Sequence, residues 1–177
     1  MWNYRIVVSK TYEVYDCIFH EDGTKSDPTT NWRLGIGSNG SFDRYDEYTT
    51  ISDNNNTTTG VVYFIADGNN NLQLPQNVFI ELDIQRVDGS ATSNILSPRA
   101  NGIISNYPCS LNAFGITDTD WHTVQLRLTP TRISRMVDGV EITAQNISET
   151  INYWVFGLWT SIDITEINFR NVKVYPI

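Results

Sequence analysis

Basic charge is scarce in this sequence: 12 lysines and arginines stand against 20 aspartates and glutamates, a net charge of −8. Proteins that bind a phosphate backbone neutralise it with a basic patch, so this balance excludes a nucleic-acid partner and leaves an uncharged one open. No stretch approaches the roughly 18 consecutive apolar residues of a membrane-spanning helix, so no membrane insertion is expected. The opening MWNYRIVVSK lacks the basic start and long apolar run of a secretory signal. Any export signal is therefore expected to have been removed or never to have existed. The two cysteines, Cys17 and Cys109, allow one disulfide or two separate buried thiols, the second being the more ordinary behaviour of free cysteine. With only His20 and His122, a Ser-His-Asp relay or a histidine-rich metal site has little to draw on, and both histidines are expected to be structural. No glycine-rich phosphate loop leads into a helix.

What is present points to β-structure. At 177 residues the chain is expected to form one domain over 1–177, large enough to bury roughly 70% of its unfolded surface without covalent staples. Hydrophobic residues make up 40% and charged ones only 18%, with Asn, Ser and Thr filling much of the rest, a balance that suits an extracellular β domain. Ten runs alternate or are continuously apolar: Tyr4–Val8, Tyr12–Phe19, Trp32–Ile36, Val61–Ala66, Val78–Val87, Ile103–Ser105, Thr123–Leu128, Arg132–Val137, Ile151–Thr160 and Ile164–Val174. Between them fall Asp22-Gly23, Asn39-Gly40, Asp67-Gly68, Asp88-Gly89, Asn101-Gly102 and Asp138-Gly139, dipeptides suited to hairpin turns with positive φ. Ser52–Gly60 and Gly68–Asn71 read as exposed polar loops. No segment keeps a 3.6-residue period with caps, so almost no helix is expected. The prediction is an all-β, two-sheet antiparallel sandwich.

Two strands hold the candidate site. In FIELDIQR, alternation sends Ile80, Leu82 and Ile84 to the core and leaves Phe79, Glu81, Asp83 and Gln85 on the opposite face. In NYWVFGLWTS, Trp154, Phe156 and Leu158 form the core set, which leaves Tyr153, Val155, Gly157 and Trp159 facing away. An aromatic face suits the apolar side of a pyranose ring, and Gly157 is expected to leave space between Tyr153 and Trp159. Packing of Trp159 beneath a loop is the competing expectation. Trp32 and Trp121 are assigned to the core, and Tyr45, Tyr48 and Tyr107, in loop-like sequence, to a groove rim.

The segment DWHTVQLRLTPTRISRMVDGVEI, Asp120 to Ile142, resembles the central hairpin of laminin-G-like and concanavalin A-like domains. CIFHEDGTKSDPTTNW, Cys17 to Trp32, and FRNVKVYPI, Phe169 to Ile177, are similar to the opening and closing parts of the same superfamily. This resemblance implies a jelly roll whose curved inner sheet forms a saccharide-receiving groove. FIELDIQR is also similar to the catalytic strand of glycoside hydrolase family 16, in which Glu-x-Asp-x-Glu, or a form one residue longer, supplies nucleophile, assisting carboxylate and acid/base. Carried over, Glu81 takes the nucleophile position and Asp83 the assisting one. The acid/base position holds Gln85, or Arg86 in the longer form, and neither donates and recovers a proton near neutral pH.

These residues support a non-catalytic carbohydrate-binding module, with Glu81, Asp83, Gln85, Tyr153, Trp159 and Tyr107 contacting an oligosaccharide or polysaccharide. The expected setting is extracellular, at a cell surface or on a virion such as a phage tail, with several copies in a larger assembly. Two alternatives stay open: a glycoside hydrolase or lyase whose acid is supplied by Glu141 or Asp43, and a structural sandwich that binds protein. No catalytic residue and no certain cofactor is assigned. The acidic stretches HEDGTKSD and DRYDEY offer the oxygen ligands a structural Ca²⁺ would need, without EF-hand spacing.

Overall fold

The computed structural model describes residues 17–27, 31–36, 40–53, 61–87, 94–103, 107, 109–160 and 166–177. The expected strand Tyr4–Val8, most of Tyr12–Phe19 and the turn Asp88-Gly89 lie outside them. In chain order the strands are β1 (Phe19–Glu21), β2 (Trp32–Ile36), β3 (Gly40–Arg44), β4 (Thr49–Asp53), β5 (Val61–Asp67), β6 (Asn70–Asn71), β7 (Val78–Arg86) and β8 (Asn94–Ala100). They continue as β9 (Cys109–Ser110), β10 (Trp121–Leu128), β11 (Arg132–Val137), β12 (Val140–Asn146), β13 (Trp154–Thr160) and β14 (Glu166–Pro176). A 3₁₀ turn spans Asn112–Phe114, and no helix among the described residues is long and apolar enough to cross a membrane.

The strands form two antiparallel sheets. One has eight strands in the order β12-β11-β10-β7-β14-β4-β3, with β1 also paired to β14. The other has six, in the order β2-β5-β13-β8-β9, with β6 on β5. Ile80, Leu82 and Ile84 of β7 face Trp154, Phe156 and Leu158 of β13 across the shared core, and all six are fully buried. Burial of each such side chain contributes about 1.5–3 kcal/mol. Turn chemistry is as the dipeptides predict: Asn101-Gly102 and Asp138-Gly139 both take positive φ. The second closes a two-residue hairpin in which Val137 pairs with Val140.

Several elements differ from the sequence expectation. Strands β3, β4, β8 and β9 carry no clear apolar alternation. β12 does alternate, Val140, Ile142 and Ala144 against Glu141, Thr143 and Gln145, but it is a sheet edge and its apolar residues Val140 and Ile142 are exposed. Asn70-Asn71 pairs with Ala66 and Asp67 rather than looping freely. Ile103 is not in a strand: it sits in the turn after β8, where its N–H bonds the Ala100 carbonyl. Cys17 and Cys109 are free thiols.

Candidate functional site

The sheet register arranges the polar face of β7 into a lattice. Gln85 is flanked by Trp121 on β10 and Asn168 on β14, and Glu81 by Gln125 and Lys173. Phe79 lies between Arg127 and Tyr175. The outer face of the eight-stranded sheet is therefore polar in the middle and aromatic at both ends. From Trp121 to Arg127 along β10 it runs ~20 Å.

The polar side chains are tied to one another. Gln125 donates to Glu81 Oε2 at 2.8 Å, and Lys173 Nζ stands 3.5 Å from Oε1. Thr123 Oγ1 donates to Asp83 Oδ1 at 2.9 Å, and Asn171 Nδ2 to Oδ2 at 2.7 Å. A bulge in β14 makes the last contact possible. Register shifts between Arg170 and Lys173, Asn171 takes φ 53°, and both Arg170 and Asn171 reach Asp83. Gln85 joins a relay across three strands: Thr50 Oγ1 donates to Asn168 Oδ1, Asn168 Nδ2 to Gln85 Oε1, and Gln85 Nε2 to the Thr119 carbonyl, at 2.7, 2.9 and 2.9 Å.

Trp121 belongs to this face and not to the core. It shares the parity of Thr123, Gln125 and Arg127, whereas Val124, Leu126 and Leu128 point inward. That parity was legible in the sequence; size and hydrophobicity argued against it. The Arg170 guanidinium lies 4.1 Å from its ring centroid, and Tyr48 packs against it at 6.0 Å. Tyr45 stacks on Tyr48 at 5.1 Å and is 45% exposed. Tyr45, Tyr48 and Trp121 thus make a continuous aromatic edge beside Gln85. At the opposite end, Phe79, Arg127, Met136 and Glu141 line a cleft of about 560 Å³.

The remaining predicted site residues lie elsewhere. Tyr153 and Trp159 flank Val62, Phe64 and Val155, a small apolar cluster on the outer face of the six-stranded sheet. The whole core separates them from Glu81, Asp83 and Gln85, so a single groove cannot hold both sets. The space expected at Gly157 is filled, since a Cβ there would lie 2.7 Å from the Phe64 ring. Tyr107 is a core residue, 5% exposed and edge-on to Trp154 at 6.3 Å. Burial first, then Glu149, pushes its phenol up to about 12. Trp32 is in the core as expected, where its indole donates to Glu21.

His122 holds the edge of the face in place. Its Nδ1 lies 2.9 Å from Asp138 Oδ2 and its Nε2 2.9 Å from Asp118 Oδ1, an arrangement that favours the doubly protonated ring. The hydrogen bond to Asp138, then that to Asp118, raises the histidine above its ordinary 6.5. His122 in turn holds both carboxylates below their ordinary 3.8. Stability from the imidazolium is full below the ordinary histidine value and is lost as pH rises through the raised one; that from the aspartates is present above 3.8 and lost as pH falls through their lowered values. Thermal melts from pH 6 upward should therefore fall for the wild type and flatten in His122→Gln. Parallel curves would remove His122 as the cause.

In the acidic stretches, Asp22 Oδ1 accepts from the Thr24 N–H and Asp27 Oδ2 from the Gly23 N–H. No group of three or more Asp, Glu, His or Cys side chains converges as a metal cluster among the described residues.

Solved structures share this architecture. A Bacillus subtilis protein with a galectin-like fold superposes with a TM-score of 0.66 at 8% identity, covering 93% of this chain and 98% of its own. A non-specific endo-β-1,3(4)-glucanase of glycoside hydrolase family 16 gives 0.61 at 11% identity, covering 90% of each chain. A botulinum neurotoxin type C structure, described as entering cells through interaction with two ganglioside molecules, gives 0.54 at 10% identity over 92% of this chain and 48% of its own. The protein has the concanavalin A-like lectin/glucanase fold, which carbohydrate-binding domains and glycanases share. No protein-family model and no curated protein matches the sequence.

Proposed function

We propose that the protein is a non-catalytic carbohydrate-binding module that holds a polysaccharide segment along the outer face of the eight-stranded sheet. The observation that carries this reading is the row of carboxylate, amide and hydroxyl groups on β7, β10 and β14, closed at one end by Trp121, Tyr48 and Tyr45. Polar groups fix hydroxyl positions while aromatic rings supply apolar contact, the usual division of labour in a small-molecule site. An extracellular, cell-surface or virion setting accords with this function. An open face gives weak monovalent affinity, with Kd on the order of 10 µM to 1 mM, so attachment would draw on several copies.

Geometry also weighs against a displaced acid/base. Glu141 shares a register row with Glu81 but sits three strands away, and Asp43 is three strands from Gln85. Three strand spacings put the backbones roughly 14 Å apart, whereas glycosidase carboxyl pairs stand ~5–9.5 Å from each other, and the Glu141 carboxylate is paired with Arg132 at 3.2 Å. A glycan array should return a neutral polysaccharide ligand. Incubation with that ligand should release no reducing sugar from wild type or Glu81→Gln, while Glu81→Gln weakens binding. Sugar release by wild type, lost in Glu81→Gln, would replace this reading with hydrolysis.

A further inference from the structure

Beside the six-stranded sheet, on the side of the sandwich away from Glu81, a pocket of about 380 Å³ is lined by Asn70, Asn71, Gln73, Asn101 and Tyr153. Four carboxamides and a phenol ring converge there, with no charged side chain among the described lining residues. The volume falls within the ~300–1,000 Å³ of small-molecule sites.

The pocket is built rather than loose. Tyr153 donates to the Asn101 carbonyl at 2.9 Å, and the Asn101 side chain bonds both the Asn152 N–H and the Thr150 carbonyl at 2.8 Å. Gly102, at φ +72°, allows the tyrosine to come close: a Cβ there would lie 3.2 Å from the phenol oxygen. Ile103, 69% exposed, adds an apolar contact at the mouth. Asn71 Oδ1 is the unusual atom. It is buried and has no hydrogen-bond partner within the protein. Native structures rarely leave a buried acceptor unpaired, so Asn71 is the lining residue with acceptor capacity the protein itself does not use. An uncharged, amide-rich lining with one ordered ring selects a neutral hydroxyl-bearing ligand and offers nothing to a phosphate, sulfate or uronate.

We propose that this pocket is a second binding site, specific for a neutral mono- or disaccharide unit and separate from the face around Glu81. One copy could then bridge two glycan chains, because the sites open on opposite faces of the sandwich. Bridging rests on the proposed face around Glu81; binding in the pocket does not.

Glucose, galactose and N-acetylglucosamine, titrated separately into ¹⁵N-labelled protein, test it. At least one should shift the side-chain amide resonances of Asn70, Asn71 and Gln73 saturably, and glucuronic acid should not. Asn71→Ala should weaken that binding at least tenfold without lowering the melting temperature, because Oδ1 makes no bond inside the protein. A Tyr153→Ala variant should lose it too, whereas Trp121→Ala, which acts on the other face, should leave these shifts unchanged. Absence of saturable shifts with all three sugars, or shifts that persist in both pocket variants, overturns the proposal.

Discussion

Trp121→Ala should weaken polysaccharide binding about 30-fold or more, the loss expected when a central aromatic anchor worth at least ~2 kcal/mol is removed. Two effects combine. The ring itself disappears from the end of the polar row, and Tyr48 and Arg170, which pack on it, lose the surface that orients them. Arg170 also approaches Asp83, so its release loosens the middle of the face. Trp121 stands outside the core, so its removal should spare the fold, unlike Trp154→Ala, which would cost about 3–5 kcal/mol. Trp121→Phe keeps a ring and should recover much of the binding. Isothermal titration with an array-identified glycan decides the matter: unchanged affinity in a folded Trp121→Ala would remove the aromatic edge from the site. Trp159→Ala, on the other sheet, should leave that affinity unchanged.

The largest stability effect is expected at Glu21. Its carboxylate is fully buried, pairs with Arg44 at 2.7 Å and accepts the Trp32 indole N–H. Burial outweighs the pull of Arg44 and pushes Glu21 from 4.5 up to about 6. By that sign, the stability gained by protonating Glu21 is full below 4.5 and is lost as pH rises through about 6, leaving the ion pair with Arg44 above that range. Glu21→Met removes the buried carboxylate that Arg44 pairs with at 2.7 Å and should cost about 3–5 kcal/mol, a drop in Tm on the order of 10 °C for a chain of this size. Replacing Arg44 with Met as well removes the other half of the pair, so the double variant should recover at least half of the loss. Denaturant titrations of the four proteins give the cycle. A double variant no more stable than Glu21→Met would show that the loss comes from packing and not from charge.

Local pattern specified the strands that bury one face. Ile80, Leu82 and Ile84, like Trp154, Phe156 and Leu158, take the inward positions alternation assigns them, because a one-residue slip would send every one of them into water. Asn101-Gly102 and Asp138-Gly139 were equally legible, since positive φ is a property of the residue and its neighbour. Strand β12 alternates too, but at an exposed edge its apolar residues Val140 and Ile142 face away from the core. Alternation divides each strand into two faces but does not say which strands share a sheet. Placing β7 and β13 in different sheets separated Glu81 from Trp159, and only the tertiary structure could do so. The same holds for the relay Thr50–Asn168–Gln85, whose members are brought together by non-local strand pairing, and for Asn171, turned onto Asp83 by a bulge. The sequence by itself determined the strand, the turn and the inward residue, because those follow from steric and solvation preferences a few residues long. The site was decided by pairing between distant segments, whose register depends on the packing of the whole sandwich.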